Sequence, residues 1–157
     1  MKVKDVMSKK VVSCSLSDTG QSAAQLMEQY DIGSIPIVDS RASQKLVGTV
    51  TDRDLCMKLV AEGRSSGTRV GTLMTEKVVT CHADDALEAC EALMQKHQIR
   101  RIPVVDADGR CVGIVAQADI ALRDDAEHTK RTVSAISQPR ASHTAHKGKD
   151  RRASAAA

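Results

Sequence analysis

Ile35-Pro36-Ile37-Val38-Asp39, followed by Gly48-Thr49-Val50-Thr51-Asp52-Arg53-Asp54, returns as Ile102-Pro103-Val104-Val105-Asp106 followed by Gly113-Ile114-Val115-Ala116-Gln117-Ala118-Asp119. The chain therefore contains one unit twice. A step of 67 carries Ile35 onto Ile102, and also Met7 onto Met74, Val12 onto Val79, Cys14 onto Cys81 and Ser17 onto Asp84. From Gly48 onward the step is 65, so the second copy has a hairpin loop two residues shorter. A repeated unit that cannot bury its apolar face alone buries it against its copy. Two copies imply a pseudo-symmetric pair rather than a solenoid.

Outward from that stretch, each copy reads strand, helix, strand, strand, helix. Lys10 to Ser13 and Val78 to Cys81 are short and β-branched, and Ser17 and Asp84 follow as helix-start signals. Ala23, Ala24, Leu26, Met27 and Tyr30 fall on helical spacing, as do Ala86, Leu87, Cys90, Leu93 and Met94. Pro36 and Pro103 suit an edge or the first position of a strand. Leu46 to Thr51 and Cys111 to Ala116 are the next strands; Thr51 then opens a helix to Ala61, and Ala116 one from Gln117 to Arg123. Val70 to Met74 is a short helical link echoing Lys4 to Met7, and a last helix runs from Ala126 to about Ser137, before Pro139. It reads as a surface helix against the module or a partner chain. Alternation of this kind gives an α/β (α+β) class.

With 157 residues, the two units are expected to share one core rather than stand as independent domains. The expected organisation is residues 1–66 for the first repeat, 67–124 for the second, 125–138 for the last helix and 139–157 for a disordered basic tail. Residues 1–136 carry 18 Lys and Arg against 19 Asp and Glu, whereas 137–157 carry 5 against 1, so the net +3 belongs to the tail. That tail lacks the bulky apolar residues needed to offset its ordering entropy. Tyr30 is the one aromatic residue, which leaves no stacking platform for nucleic-acid bases. Five scattered cysteines without a Cys-x-x-Cys pair argue against a disulfide framework or structural zinc. Neither an export signal nor a run of membrane-spanning length is present, which places the expected protein in the cytoplasm.

The chemistry concentrates at Gly48 to Asp54. A helix starting at Thr51 presents unpaired N–H groups and the positive end of its dipole, a combination that binds phosphate. The Thr51 hydroxyl adds a donor, and Asp54 can accept from two vicinal ribose hydroxyls. Thr-x-x-Asp also reads as a capping box that satisfies the helix with no ligand. Composition and spacing leave both readings open.

The pattern Gly-h-h-Thr/Ser-x-x-Asp (h, apolar) after an Ile-Pro-x-Val-Asp strand, in two tandem copies over about residues 4 to 123, resembles the cystathionine β-synthase (CBS) domain pair, or Bateman module. It is most similar to the small stand-alone bacterial CBS-pair proteins. The resemblance implies two tandem βαββα repeats packed about a pseudo-twofold axis, with two clefts for adenosine-containing ligands such as AMP, ADP, ATP, NAD or S-adenosylmethionine. It implies a homodimer and a non-enzymatic role in signal transduction toward a target protein. Carried over by position, Asp54 holds the ribose, Thr51 the phosphate, and the backbone at Ser34, Ile35 and Pro36 the adenine. In the second copy Asp119 keeps the ribose role, and Arg101, Ile102 and Pro103 line the base. Ala116 replaces Thr51 there, so the clefts are not equivalent. Arg100 and Arg101 stand where the first copy has Gly33 and Ser34, and guanidinium pairs suit phosphate. The expected main site is therefore the cleft around Thr51 and Asp54, assisted by Arg100 or Arg101.

Cys14, Cys81 and His82 invite a metal or thiol reading, but free cysteines in strands are usually small core hydrophobes. No catalytic set can be assembled, so neither an enzyme nor a catalytic cofactor or metal is expected. The rival readings are a structural or adaptor homodimer with empty clefts, and a nucleic-acid-associated protein using the basic tail.

Overall fold

The computed structural model describes residues 1–122 and 126–138. In each copy a two-residue strand pairs in parallel with a central strand, which pairs antiparallel with a third. The first copy comprises β1 (Cys14–Ser15), α2 (Gly20–Tyr30), β2 (Ser34–Val38), β3 (Leu46–Thr51) and α3 (Asp52–Leu55), which runs on into a π-helical turn at Cys56–Val60. The second comprises β4 (Cys81–His82), α4 (Leu87–His97), β5 (Arg101–Val105), β6 (Cys111–Ala116) and α5 (Gln117–Ala121). A lead-in precedes each, α1 (Val3–Val6) before the first and a 3-10 turn at Val70–Thr72 before the second, and α6 (Ala126–Ile136) closes the described chain. This is the expected pair of βαββα repeats. The expected disorder of 139–157, and the expected helix end at Arg123, lie outside the described residues.

The helical stripes place Ala23 and Met27, and Leu87, Cys90 and Met94, in the cores, while Ala24, Tyr30 and Ala86 are exposed. α2 starts at Thr19 rather than Ser17: the Thr19 hydroxyl accepts from the Ser22 amide at 3.1 Å, and the neighbouring Asp18 carboxylate accepts from Ser15 at 2.8 Å. α4 follows Ala86, and Asp84 instead accepts hydrogen bonds from Lys2 (3.1 Å) and Lys4 (2.8 Å). The first strands lie later than their β-branched residues suggest, because only Cys14–Ser15 and Cys81–His82 reach the central strand.

The prolines differ from expectation too. Pro36 and Pro103 are the third residues of central strands. Pro36 opposes Thr49, whose own backbone groups bond outward to Thr75 (3.0 and 2.8 Å), so this is a non-hydrogen-bonded pair. The missing N–H of Pro36 therefore faces away from β3, past the end of β1, which pairs only with Ile37 and Val38.

The lead-ins are exchanged. The Val3 and Lys4 amides donate to Asp85 and Ala83 (3.0 and 2.9 Å), and Ser8 exchanges two bonds with Ile114 on β6 (2.9 and 3.0 Å). The equivalent bonds run from Val70 to Asp18 (2.9 Å) and between Thr75 and Thr49. Between the copies, Leu46 N donates to Gly109 O and Cys111 N to Gln44 O, both at 3.0 Å, around a Lys45–Arg110 bridge near the pseudo-dyad.

Two hydrophobic clusters result, rather than the single core expected. One joins Val70 and Leu73 to Cys14, Ala23, Met27, Ile35, Ile37, Val50, Leu55 and Leu59. The other joins Val3 and Val6 to Cys81, Leu87, Cys90, Met94, Ile102, Val104, Val115, Ile120 and Ile136. Each copy's apolar face is completed by a segment preceding the other. α6 covers α4, where Thr132 bonds Gln95 (2.9 Å) and Glu91 (3.3 Å), and contributes Ile136 to the second core.

Candidate functional site

Both candidate clefts are built where the third strand of a copy turns into its last helix. In the first copy, antiparallel pairing sets Ser34 opposite Thr51, Ile35 opposite Val50 and Pro36 opposite Thr49. In the second it sets Arg101 opposite Ala116, Ile102 opposite Val115 and Pro103 opposite Ile114. Each copy's base-lining and ribose or phosphate candidates are thus brought to one sheet end. Ile35 and Ile102 are wholly buried in the two cores, so only their main chain is offered to a ligand. Pro36 and Pro103, on the opposite sheet face by strand alternation, are buried as well. Gly48 admits the exchanged lead-in: a Cβ there would stand 2.4 Å from Met74 Sδ, and one on Gly113 would stand 2.8 Å from Met7 Sδ.

The helix start at Thr51 is not the open anion cradle that the sequence suggests. The Asp52 amide donates to Gly33 O (3.1 Å), the Arg53 amide to the Asp52 carboxylate (2.7 Å) and the Asp54 amide to the Thr51 hydroxyl (3.0 Å). Asp54 Oδ2 in turn accepts from the Thr51 amide at 3.0 Å and the Thr51 hydroxyl at 2.8 Å, closing a complete capping box. Asp54 Oδ1 pairs with Lys58 Nζ at 3.0 Å, and that ammonium also donates to the Leu73 carbonyl at 2.6 Å. The physical reason is local supply. Two carboxylates and a hydroxyl lie within reach of orphan amides, and they satisfy them.

The second helix start is different. Gln117 N donates to Arg100 O (2.8 Å), as Asp52 N does to Gly33 O, and Asp119 Oδ2 accepts from Ala116 N (3.0 Å). Ala116 has no hydroxyl and makes no side-chain cap hydrogen bond, so only the Asp119 half of the capping box is formed. Gln117 replaces the carboxylate that occupies the Arg53 amide in the first copy. Among the described residues no side chain accepts from the amides of Ala118 and Asp119, and Arg100 and Arg101 are exposed on the adjoining strand end.

Sequence reasoning missed Lys58. Its spacing of four residues after Asp54 is a readable helical ion-pair signal, but the bond to Leu73 O crosses between the copies' segments and is not. Burial pushes the Cys14 and Cys111 thiols up to about 11, so both are protonated at neutral pH. Among the described residues, no three His, Cys, Asp or Glu side chains gather into a metal site. No described helix is long and apolar enough to cross a membrane.

This architecture is that of a paired repeat module, and the CBS domain family matches residues 3–61 and 70–124. The chain belongs to that family. It is 41% identical over 120 residues to the CBS domain-containing protein YhcV of Bacillus subtilis, covering 76% of this chain and 83% of that protein. The structure of Hypoxic Response Protein I with two coordinated zinc ions superposes with a TM-score of 0.71 at 34% identity, covering 80% of this chain and all of that one. The CBS domain pair of MJ0100, in complex with 5-methylthioadenosine and S-adenosylmethionine, superposes with a TM-score of 0.69 at 33% identity, covering 78% and 94%.

Proposed function

We propose that the protein is a non-enzymatic regulatory module that binds an adenosine-containing ligand between its two CBS repeats, as a homodimer acting on a target protein. The adenosine ligands of the MJ0100 CBS pair support this class of ligand. The observation that carries the reading is the paired placement of Asp54 and Asp119 at equivalent helix starts, each beside an Ile-Pro strand. We place the main site at Asp119 rather than at Asp54. A ribose taken by Asp54 must displace Lys58 and share a carboxylate already closing a cap, whereas Asp119 accepts the Ala116 amide and stands at a helix start whose N-cap residue has no capping side chain, beside two exposed arginines. Ligand acts on output only through a difference in affinity between conformations, which here means the relative placement of the two copies.

One observation favours the adaptor reading: the first cleft's cap is complete without a ligand. A thermal-shift panel with AMP, ADP, ATP, NAD and S-adenosylmethionine separates the two. A ligand at about 100 times its dissociation constant stabilises the fold by about 2.7 kcal/mol. Asp119→Asn is expected to abolish the shift and Asp54→Asn to retain it. The reverse pattern moves the site to the first cleft, and no shift with any of the five supports the adaptor. Light scattering checks the dimer.

A further inference from the structure

We propose that Cys81 and Cys90 form a covalent modification site, a thiol pair that a peroxide-class oxidant closes to a disulfide in the second copy alone. Cys81 opens β4 and Cys90 lies one turn into α4. Their sulphurs are 3.8 Å apart, with the Cys81 thiol donating to Cys90 Sγ. Both are buried, so this contact is a fixed feature of the core rather than a chance meeting of surface side chains. The first copy cannot do the same, because Ala23 occupies the position equivalent to Cys90 and leaves Cys14 without that partner.

Access comes from the weakness of the element that carries Cys81. β4 has two residues at a sheet edge, paired to β5 through Val104 and Val105. So short an edge opens locally without global unfolding. The hydrogen bond from Cys81 lowers the Cys90 pKa against the opposing effect of burial, and together with burial it holds Cys81 protonated. Cys90 is thus the nucleophile. Its thiolate attacks a peroxide oxygen, the O–O bond breaks, and the departing hydroxide takes a proton to become water. The Cys81 sulphur then attacks the resulting sulfenic sulphur, releasing a second water as the S–S bond forms. Two thiols and one peroxide become one disulfide and two waters, with two electrons passing to the peroxide. The bond would tie the edge of the second sheet to α4, beside the central strand bearing Arg101, Ile102 and Pro103.

The full chain supplies its own readout, because residues 78–96 contain both cysteines and no internal Lys or Arg, so trypsin releases them together. After hydrogen peroxide and then alkylation, that peptide is expected two hydrogens lighter and unalkylated, with both changes reversed by dithiothreitol. Recovery of the peptide with two alkyl groups, or with added sulphur oxygens in place of the cross-link, overturns the proposal. Cys90→Ala, which installs the first copy's residue, should fold and lose the cross-link; oxidised wild type should melt higher than reduced, and the variant should not. A melting temperature that rises equally in Cys90→Ala also overturns it.

Discussion

Replacing Leu73 with alanine is expected to loosen the first copy, although Leu73 precedes the first strand of the second. Its side chain is wholly buried in the cluster of Cys14, Met27, Ile35, Val50 and Leu59. Its Cδ1 is 3.2 Å from where a Cβ on Gly20 would stand, which places it tightly against the start of α2. Three carbons leave the core, about 2.4 kcal/mol at about 0.8 kcal/mol per buried methylene. With the cavity left behind, the loss falls at about 2–5 kcal/mol. For a chain of this size that lowers the melting temperature by roughly 5–15 °C. Location is the sharper test. Native-state hydrogen exchange and methyl NMR should show lost protection and shifted resonances in α2, β2 and β3. Val6→Ala should disturb α4, β5 and β6 instead, by about 1–3 kcal/mol for two carbons plus cavity. If Leu73→Ala perturbs the second cluster and leaves the first unchanged, the exchange of lead-ins is refuted.

Gly48→Ala should destabilise by about 1–3 kcal/mol, because a Cβ would meet Met74 Sδ at 2.4 Å and the Thr75 carbonyl at 3.1 Å. Met74→Ala should relieve part of that clash, and a double-mutant cycle showing strict additivity would contradict the contact. Thr51→Ala, which installs the second copy's residue, removes a side-chain cap and should cost about 1 kcal/mol by denaturant titration. Hydrogen bonds from Lys4 and Lys2 hold Asp84 down to about 2 from its ordinary 3.8. Because its folded value is depressed, its contribution is complete above about pH 4 and is lost as the pH falls through 2. An NMR titration that finds Asp84 protonating near its ordinary value would break this link, and Asp84→Asn should flatten the same acid limb of the melting profile.

The strands and long helices were legible because period-two and helical burial leave their mark on residue type: Leu46–Thr51 and Cys111–Ala116 lie where expected, and of the predicted stripes α2 buries Ala23 and Met27 and α4 buries Leu87, Cys90 and Met94. The exchanged lead-ins were not. Met7 and Met74 are equivalent by sequence, and Val3 packed on its own copy would satisfy the same pattern as Val3 packed on the other. A repeat fixes what an element wants to bury, not which copy supplies the surface. The helix start at Thr51 was ambiguous for a related reason, since a residue that can hold a ribose can also hold its own main chain. Only the positions of Asp52 and Lys58 resolve that, and neither belongs to the repeated motif.

The pseudo-dyad is kept where the main chain carries it and abandoned where side chains do. Backbone bonds recur in pairs: Val3 to Asp85 with Val70 to Asp18, Leu87 to Met1 with Gly20 to Thr68, and Asp52 to Gly33 with Gln117 to Arg100. The residues around the last pair have changed together. A Cβ on Gly33 would stand 2.9 Å from Asp52 Oδ2, so the first copy combines a residue without a side chain with a carboxylate that turns back onto its own helix. The second has Arg100 with Gln117, removing the carboxylate and adding a cation at the same place. One helix start thereby gathers two carboxylates and the Lys58 ammonium, while the other has one carboxylate beside two exposed guanidinium groups, on backbones that the same hydrogen bonds hold alike. On the proposed function, divergence of this form would alter ligand preference without altering the frame, and it is the reason for placing the charged tail of a proposed adenosine ligand by the charge of each helix start rather than by the motif the two copies share.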